Sequence, residues 1–358
     1  MIHVGLDVHK YFSQLEVMDE EGTTLERRRF YHSNKAAIQD YFSQLPRPLT
    51  VALESTSQWF WLYDLLEEFG EVKLVTPNKV RLIAEAKIKT DKVDAHTLAQ
   101  LERTGFLPTS YIPPREVRDR RELYRYRISL VTIRTGVRNR IHALLDKLGI
   151  FHPYSDLFGM RGRQFLESLE LRDSYQRVLN GYLRLHDWVD ALEKEVRREI
   201  KKTMKTDPRA LLLMTVPGIG VRNAYLLLAE IGDIDRFLSA KKLLSYASLA
   251  PRTRQSAEHR WQGPVGRKGN LYIKWAMVEA AQKATKKDPA LAAFYEKLRR
   301  KHGPAKARVA VAAKLLKAIY YILKRNETYK FNALSTIHLG KPVKSSGHRT
   351  ATRRQAVS

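Results

Sequence analysis

The sequence lacks cysteine altogether and contains no long apolar run. Without cysteine, the chain can form neither disulfide bonds nor cysteine-ligated zinc sites. No apolar stretch approaches the roughly 18 residues that cross a bilayer, and the longest resemble Ala210 to Met214. The opening MIHVGLDVHK carries Asp7 inside its apolar stretch, unlike the uninterrupted core of a signal peptide. We therefore expect a cytoplasmic protein with no membrane partner.

Acidic residues are scarce relative to basic ones. Asp and Glu number 38 against 64 Lys and Arg, which gives a net charge of +26 and a sequence pI near 10.1. Such a balance favours a polyanionic partner. Nucleic acid is the first candidate, because the basic residues are spread through the whole chain. The length of 358 residues allows two or three domains, each with its own core.

The first part of the chain alternates strand and helix signals. Period-two alternation and turn residues predict strands at 2–8, 11–18, 23–31, 49–54 and 72–75. Helical patterns follow the last three of them at 34–45, at 58–68 and from Asp91 onward. The order β-β-β-α-β-α-β-α predicts an α/β domain with a mixed five-stranded sheet, which is the order of the ribonuclease H fold. We assign this domain to residues 1–110.

Strand signals stop after YIPP at 111–114, and two long amphipathic helices follow. Apolar residues recur at steps of three and four in two series: Leu123, Tyr126, Leu130, Ile133, Val137, Ile141, Leu144 and Leu148; then Tyr175, Val178, Tyr182, Leu185, Val189, Leu192 and Val196. We interpret 111–204 as a coiled-coil-like spacer and oligomerisation arm. Shorter helical patterns predict an all-α domain at 205–330. The basic, Ser/Thr-containing tail at 331–358 has a composition typical of disorder.

Four carboxylates lie where this topology converges. Asp7 falls in the first strand, Glu54 ends the fourth, and Asp91 and Asp94 occupy the first turn of the closing helix. Residues three apart share a helix face, so both aspartates can point to one site. Carboxylate oxygens suit Mg²⁺ or Mn²⁺, which neutralise phosphate charge during phosphoryl transfer. The set predicts a divalent-metal site for phosphoryl transfer.

A simpler reading of the helical pair remains open. Asp91 is favoured at a helix N-terminus by the helix dipole, and Asp94 can pair with a neighbouring lysine. In the catalytic reading, Lys87, Lys89 and Lys92 hold nucleic acid close to the carboxylates.

The segment TVPGIGVRNA, 215–224, has the form of a helix-hairpin-helix. Gly218 and Gly220 let the backbone approach a partner closely, and N–H groups at the start of the next helix can bind a DNA phosphate without reading sequence. The alternative is an ordinary turn between two helices.

A long Gly- and Arg-containing loop follows within 249–281, LAPRTRQSAEHRWQGPVGRKGNLYIKWAMVEAA. Its composition predicts phosphate binding, and Trp261 and Tyr272 are available for base stacking or for ordinary packing. From the residues alone, Ser256 is only a loop hydroxyl.

These motifs, in this order, resemble the insertion-sequence-110 transposases. The resemblance rests on GLDVHK with Asp7, ALEST with Glu54, KTDKVDA with Asp91 and Asp94, VPGIG, and F-x₈-YASLAPR…S…G…GRKGN, over about 5–330. It implies a RuvC-like DEDD domain whose four carboxylates bind metal, and it makes Ser256 the nucleophile that forms a covalent phosphoserine link to DNA. It also implies donor and target double-stranded DNA chosen by a noncoding bridge RNA, and homodimers that pair into a homotetramer.

The resemblance further implies that metal and serine meet in one composite site. Candidates for stabilising phosphate charge there are Arg252, Arg254, His259, Arg260, Arg267 and Lys268. Ala257 stands where the family usually has glycine, and Ser245, Ser248 and Thr253 are alternative hydroxyls.

Two other functions remain open at this stage. One is a metal-dependent, structure-specific DNA endonuclease that uses activated water, and the other is a non-catalytic nucleic-acid-binding protein.

Overall fold

A computed structural model describes residues 1–80, 83, 91–256, 259–266 and 269–330. Within these ranges, only the backbone is described at 78, 92, 252–256, 259–262 and 264. The chain divides into two compact units, Met1–Pro113 and Pro114–Ser358. Among the described residues, no helix combines the length and apolar character that crossing a bilayer would require.

The first unit is a mixed sheet with helices on both faces. Its elements are β1 Ile2–Val8, β2 Phe12–Met18, β3 Thr24–Tyr31, α1 Lys35–Gln44, β4 Leu49–Glu54, α2 Trp59–Leu66, β5 Glu71–Val75, α3 Pro77–Val80, α4 Asp91–Arg103 and β6 Thr109–Ser110. The strand order is β3-β2-β1-β4-β5-β6. Strands β1, β4 and β5 are parallel, whereas β2, β3 and β6 join antiparallel. The prediction of five strands was therefore wrong by one, because the two-residue β6 is too short to produce a pattern.

The two faces of the sheet differ in chemistry. One face is apolar and packs against α1 and α2 around side chains such as Leu6, Leu15 and Leu53. The opposite face, which α4 covers, carries buried polar residues that include Asp7, Gln14 and Glu16. Successive residues of a strand point to opposite faces, so the odd positions of β1 and the even positions of β2 meet α4.

Helix α4 lies unusually close to β1. A Cβ added to Gly5 would fall 2.0 Å from the carbonyl oxygen of Ala95 and 2.7 Å from the amide nitrogen of Ala99. Only glycine on the strand and alanine on the helix permit this approach. The helix runs antiparallel to β1, because Glu102 contacts His3 at the start of the strand while the N-terminal turn of α4 lies beyond its end.

The second unit consists mainly of helices. They are α5 Arg115–Lys147, α6 Met160–Ser168, α7 Asp173–Thr206, α8 Pro208–Met214, α9 Val221–Ile231, α10 Ala240–Tyr246, α11 Leu271–Ala284, α12 Pro289–His302 and α13 Pro304–Arg325. A two-stranded antiparallel hairpin, β7 Pro251–Ser256 and β8 His259–Val265, interrupts them. The prediction of an all-α C-terminal domain was therefore wrong, because the Arg, Gln and Thr residues of this pair show no apolar alternation.

Helices α5 and α7 pair along their length and have two cores. The far end packs with α6 around Ile141, Leu166 and Leu183, while the near end joins the main core of the later helices. The predicted apolar stripes were partly wrong: in α5, Leu130, Val137 and Ile141 are buried, but Tyr126 is 43 % and Ile133 45 % exposed.

The seam between α5 and α7 also buries polar residues that apolar periodicity does not detect. Arg127 and Glu193 form an ion pair at 2.7 Å, and Arg138 donates a hydrogen bond to His186 at 3.1 Å. In α7, Val189 and Val196 are buried as the pattern indicated. Val178 and Leu185 of the same pattern are 44 % and 38 % exposed.

Candidate active site

The four predicted carboxylates gather at one edge of the first unit. Leu6 of β1 pairs in parallel register with Leu53 of β4, so Asp7 and Glu54, one residue further on, lie side by side on the face that α4 covers. The packing at Gly5 places the first turn of α4, with Asp91 and Asp94, beside them.

Contacts at this edge join strand, loop and helix. Asp7 hydrogen-bonds with Glu54 and interacts electrostatically with Asp91 and Asp94. His9, just after β1, places its Nε2 atom 3.1 Å from Asp7 Oδ2 and 3.3 Å from Asp91 Oδ1. Single ligand atoms of Asp7, His9 and Asp91 all lie within 4.8 Å of one another. This donor set, hard carboxylate oxygens with one imidazole, fits a divalent cation.

Asp7 is the most confined of these groups. Burial raises the pKa of Asp7, which is 5 % exposed, and the charges of Asp94 and Asp91 raise it as well. The charge of His9 and the hydrogen bond with Glu54 oppose this rise. Crowded carboxylates resist simultaneous ionisation, so a cation bound here relieves their repulsion.

Two buried networks on the same face hold α4 against the sheet. Glu16 of β2 accepts hydrogen bonds from Thr24 and Arg27, each at 2.7 Å, and contacts His96 of α4 at 2.6 Å. At the other end, Glu102 of α4 contacts His3 of β1 and accepts a bond from Lys73 of β5 at 2.9 Å. These contacts therefore tie α4 to β1, β2 and β5.

Several predicted nucleic-acid contacts fall outside what the structure describes. Lys87, Lys89, Arg267 and Lys268 lie outside the described residues altogether. The backbone is described, without the side chain, for Lys92 in α4 and for Arg252, Arg254, His259 and Arg260 in the β7–β8 hairpin.

The two glycines in the turn between α8 and α9 have different surroundings. Gly218 has φ +86°, and a Cβ there would lie 2.3 Å from the carbonyl oxygen of Ala280 in α11. Gly220, the N-terminal cap residue of α9, has open space around it. Packing against α11 therefore explains why position 218 is glycine. Only Gly220 of the two has a backbone that a partner can approach.

Ser256 is the last residue of β7 and pairs with His259 at the start of β8, at the tip of the hairpin. The base of the hairpin is tightly closed. A Cβ on Gly269 would lie 2.4 Å from Ser248 Oγ, and the Asn270 amide donates to the Tyr246 carbonyl at 2.6 Å.

One buried carboxylate organises this base. Glu230 of α9, 1 % exposed, accepts a forked pair of bonds from Arg125 of α5 at 3.0 and 3.1 Å and a third from Asn270 at 2.7 Å. Asn270 also caps α11 by accepting from the amide of Ile273. Helix α5, helix α9 and the N-terminal cap of α11 therefore meet at one side chain.

The alternative hydroxyls have distinct settings. Ser245 lies exposed on α10, while Ser248 is 4 % exposed, with φ 52°, in the packed base of the hairpin. Thr253 lies within β7, and its side chain is outside the described atoms.

Sequence reasoning missed His9, Glu230 and Asn270. His9 had a detectable signal, because in GLDVHK it stands two residues after Asp7, and residues at that spacing share a strand face. Glu230 had none, because it follows an apolar helical run as a surface residue would.

Comparison with known proteins gives a consistent class. The model of the Transposase IS116/IS110/IS902 family matches residues 210–296. A transposase model named for the DEDD transposases of IS110 matches residues 4–150.

Three curated relatives extend the match along the chain. The transposase for insertion sequence element IS1328 of Yersinia enterocolitica is 26% identical over 78% of this chain and 82% of its own. A probable family 20 transposase of Pseudomonas aeruginosa is 25% identical over 91% and 98%. A pilin gene-inverting protein of Moraxella bovis is 30% identical over 47% and 54%.

These matches define a transposase, an enzyme that acts on DNA. The two models match in the order that the resemblance to the insertion-sequence-110 transposases predicted, which confirms that resemblance.

Proposed function

We propose that this transposase cuts and rejoins DNA through a covalent link between Ser256 and a DNA phosphate, supported by a divalent metal. The convergence of Asp7, Glu54, Asp91 and Asp94 at one sheet edge, inside the segment matched by the DEDD model, carries the proposal. The position of Ser256 on a paired strand, opposite His259, supports it, because a nucleophile needs a fixed position.

The metal is Mg²⁺ or Mn²⁺, held by the four carboxylates. When bound, it neutralises charge on the reacting phosphate. Asp7, buried and crowded, and its neighbour Glu54 would hold the ion from the sheet, and Asp91 and Asp94 would hold it from α4. The sheet is ribonuclease H/RuvC-like in this proposal, and the oxygen-rich donor set supports that assignment.

The chain's own residues then bind and orient the DNA. Ser256 gives up its hydroxyl proton and attacks the scissile phosphate, the P–O bond to one strand breaks, and that strand leaves with a free hydroxyl. The serine oxygen holds the other strand end until an incoming DNA hydroxyl displaces it in the rejoining step. Charge on the phosphate is held by the basic residues Arg252, Arg254, His259 and Arg260 of the hairpin strands, together with Arg267 and Lys268, which follow them in the sequence. Gly220 and the N-terminal turn of α9, in a helix-hairpin-helix, bind a phosphate without reading sequence, and Lys87, Lys89 and Lys92 steady the nucleic acid near the carboxylates.

A noncoding bridge RNA selects donor and target DNA in this proposal, within a cytoplasmic homotetramer built from dimers through the 111–204 arm. The net charge of +26 supports binding of both nucleic acids. The name of the Moraxella relative, a gene-inverting protein, supports cutting followed by rejoining, since inversion restores both strands.

The test is a covalent-adduct assay with the copurified RNA, donor and target DNA and Mg²⁺. Ser256→Ala should abolish the adduct and lower recombination on the order of 10⁴-fold or more, as for other covalent nucleophiles. Ser245→Ala, an exposed serine on α10, is the matched control and should form the adduct normally. Adduct persisting in Ser256→Ala would exclude this serine.

A second function is supported by the acidic edge itself, which is complete within the first unit. A metal-dependent, structure-specific endonuclease would need Asp7 and Asp94 but not Ser256. Strand cleavage that survives Ser256→Ala, without any adduct, would select this alternative.

A further inference from the structure

We propose that His9 is a ligand of the same divalent metal, through Nε2, beside Asp7 and Asp91. The site would then present one nitrogen among carboxylate oxygens. This inference rests on the proposed metal function, and it adds a residue that lies outside the four-carboxylate set.

The spacing of the donor atoms carries the argument. Two ligands at adjacent corners of an octahedron, each about 2.1 Å from the metal, are separated by about 3.0 Å. His9 Nε2 lies 3.1 Å from Asp7 Oδ2 and 3.3 Å from Asp91 Oδ1. All three donor atoms lie within 4.8 Å of one another, so a single ion can reach them with small side-chain adjustments.

The ring of His9 is held in this orientation. Its backbone amide donates to the carbonyl of Phe12 at 2.9 Å, which closes the turn between β1 and β2. The imidazole packs against the Phe12 ring with centroids 4.6 Å apart, and the Arg29 guanidinium lies 4.3 Å from the same ring. A constrained ring loses little freedom on binding an ion. Its side chain remains 38 % exposed, which leaves the ion a route from solvent.

An imidazole ligand changes which metal the site prefers. Mg²⁺ strongly favours oxygen donors, whereas Mn²⁺ accepts nitrogen more readily. His9 would therefore increase the preference of the site for Mn²⁺ over Mg²⁺, and replacing it by an oxygen donor would reduce that preference.

The experiment uses the full-length protein with Mn²⁺ as probe. Electron spin echo envelope modulation of bound Mn²⁺ should reveal a directly coordinated nitrogen. His9→Gln should remove that signal and weaken Mn²⁺ binding at least about tenfold, as loss of a ligand or its support does elsewhere. Mg²⁺ binding, measured by competition, should change less.

His32→Gln is the matched control. His32 lies at the same edge of the sheet, but its ring contacts Ser13 Oγ at 2.7 Å. The nitrogen signal should persist in this variant, which separates ligation by His9 from a general effect of removing a histidine.

The outcomes distinguish a failure of His9 as a ligand from a failure of the proposed metal function. Mn²⁺ bound to wild-type protein without a coordinated nitrogen would overturn the role of His9, leaving it as a hydrogen-bond partner of Asp7, while the metal function stands. If Mn²⁺ does not bind, or binds equally well to Asp7→Asn, the proposed metal function itself fails. Because the wild-type spectrum decides the first question, the result does not depend on any variant folding.

Discussion

Replacing Gly5 by alanine tests whether the close packing of α4 on β1 forms the acidic edge. The added Cβ would lie 2.0 Å from the Ala95 carbonyl oxygen and 2.7 Å from the Ala99 amide nitrogen. Both are backbone atoms of a helix, so no side chain can rotate away. Relief requires the whole of α4 to retreat, taking Asp91 and Asp94 with it.

The size of the effect follows from these distances. An ordinary contact needs about 3.4 Å or more between heavy atoms, so the helix must move by roughly 1.4 Å. Overpacking of this kind costs about 1–3 kcal/mol of unfolding free energy. Misplacing catalytic groups by about 1 Å costs on the order of 10²-fold in rate. Gly5→Ala should therefore be moderately destabilised and lose most of its activity.

Gly181→Ala provides the control, since a Cβ at this position in α7 meets nothing within 4 Å. That variant should be neutral or gain up to about 1 kcal/mol in the helix interior. Chemical denaturation, Mn²⁺ titration and DNA cleavage should be measured on both proteins. Wild-type stability and wild-type Mn²⁺ affinity in Gly5→Ala would refute the claim that this contact positions the aspartates.

Two further predictions address the supports of each unit. Glu16→Gln should lower the free energy of unfolding by about 1–3 kcal/mol at pH 7. Burial alone would raise the pKa of Glu16, but hydrogen bonds from Arg27 and His96 outweigh burial and lower that pKa below 4.5. This contribution to stability is present above pH 4.5 and is lost as the pH falls through the lower folded-state pKa. The unfolding free energies of wild type and variant, measured by denaturation, should therefore converge in acid. A difference that stays constant with pH would contradict this role of Glu16. Gly269→Ala should abolish the serine adduct but retain Mn²⁺ binding. The control Gly266→Ala, whose added Cβ would lie 3.7 Å from its nearest neighbour, Ser248 Oγ, should retain both. An active Gly269→Ala protein would show that the closed hairpin base is dispensable.

The sequence predicted most of the first unit because its strands obey strong alternation. The end of β4 at Glu54 and the start of α4 at Asp91 lie where the pattern placed them. The two-residue β6 could not be predicted, because pairing with β5 rather than any local signal defines it. Gly5 gave no warning of its contact with α4, since the neighbour lies ninety residues away in the chain.

The second unit was less predictable wherever polar groups are buried. Arg127 and Glu193 pair inside the seam of α5 and α7, so a purely apolar stripe selected neighbours such as Ile133 that lie exposed. The β7–β8 hairpin, rich in charge, resembled a loop. His9 was within reach of strand periodicity, but its contact with Asp91 depends on how α4 packs.

The carboxylate of Glu230 joins two parts of the second unit that are far apart in the sequence. Arg125 of α5 donates two hydrogen bonds to it, and Asn270, the N-terminal cap residue of α11, donates a third. Because Arg125 and Asn270 share one carboxylate, a displacement of α5 at Arg125 would also disturb the N-terminal cap of α11.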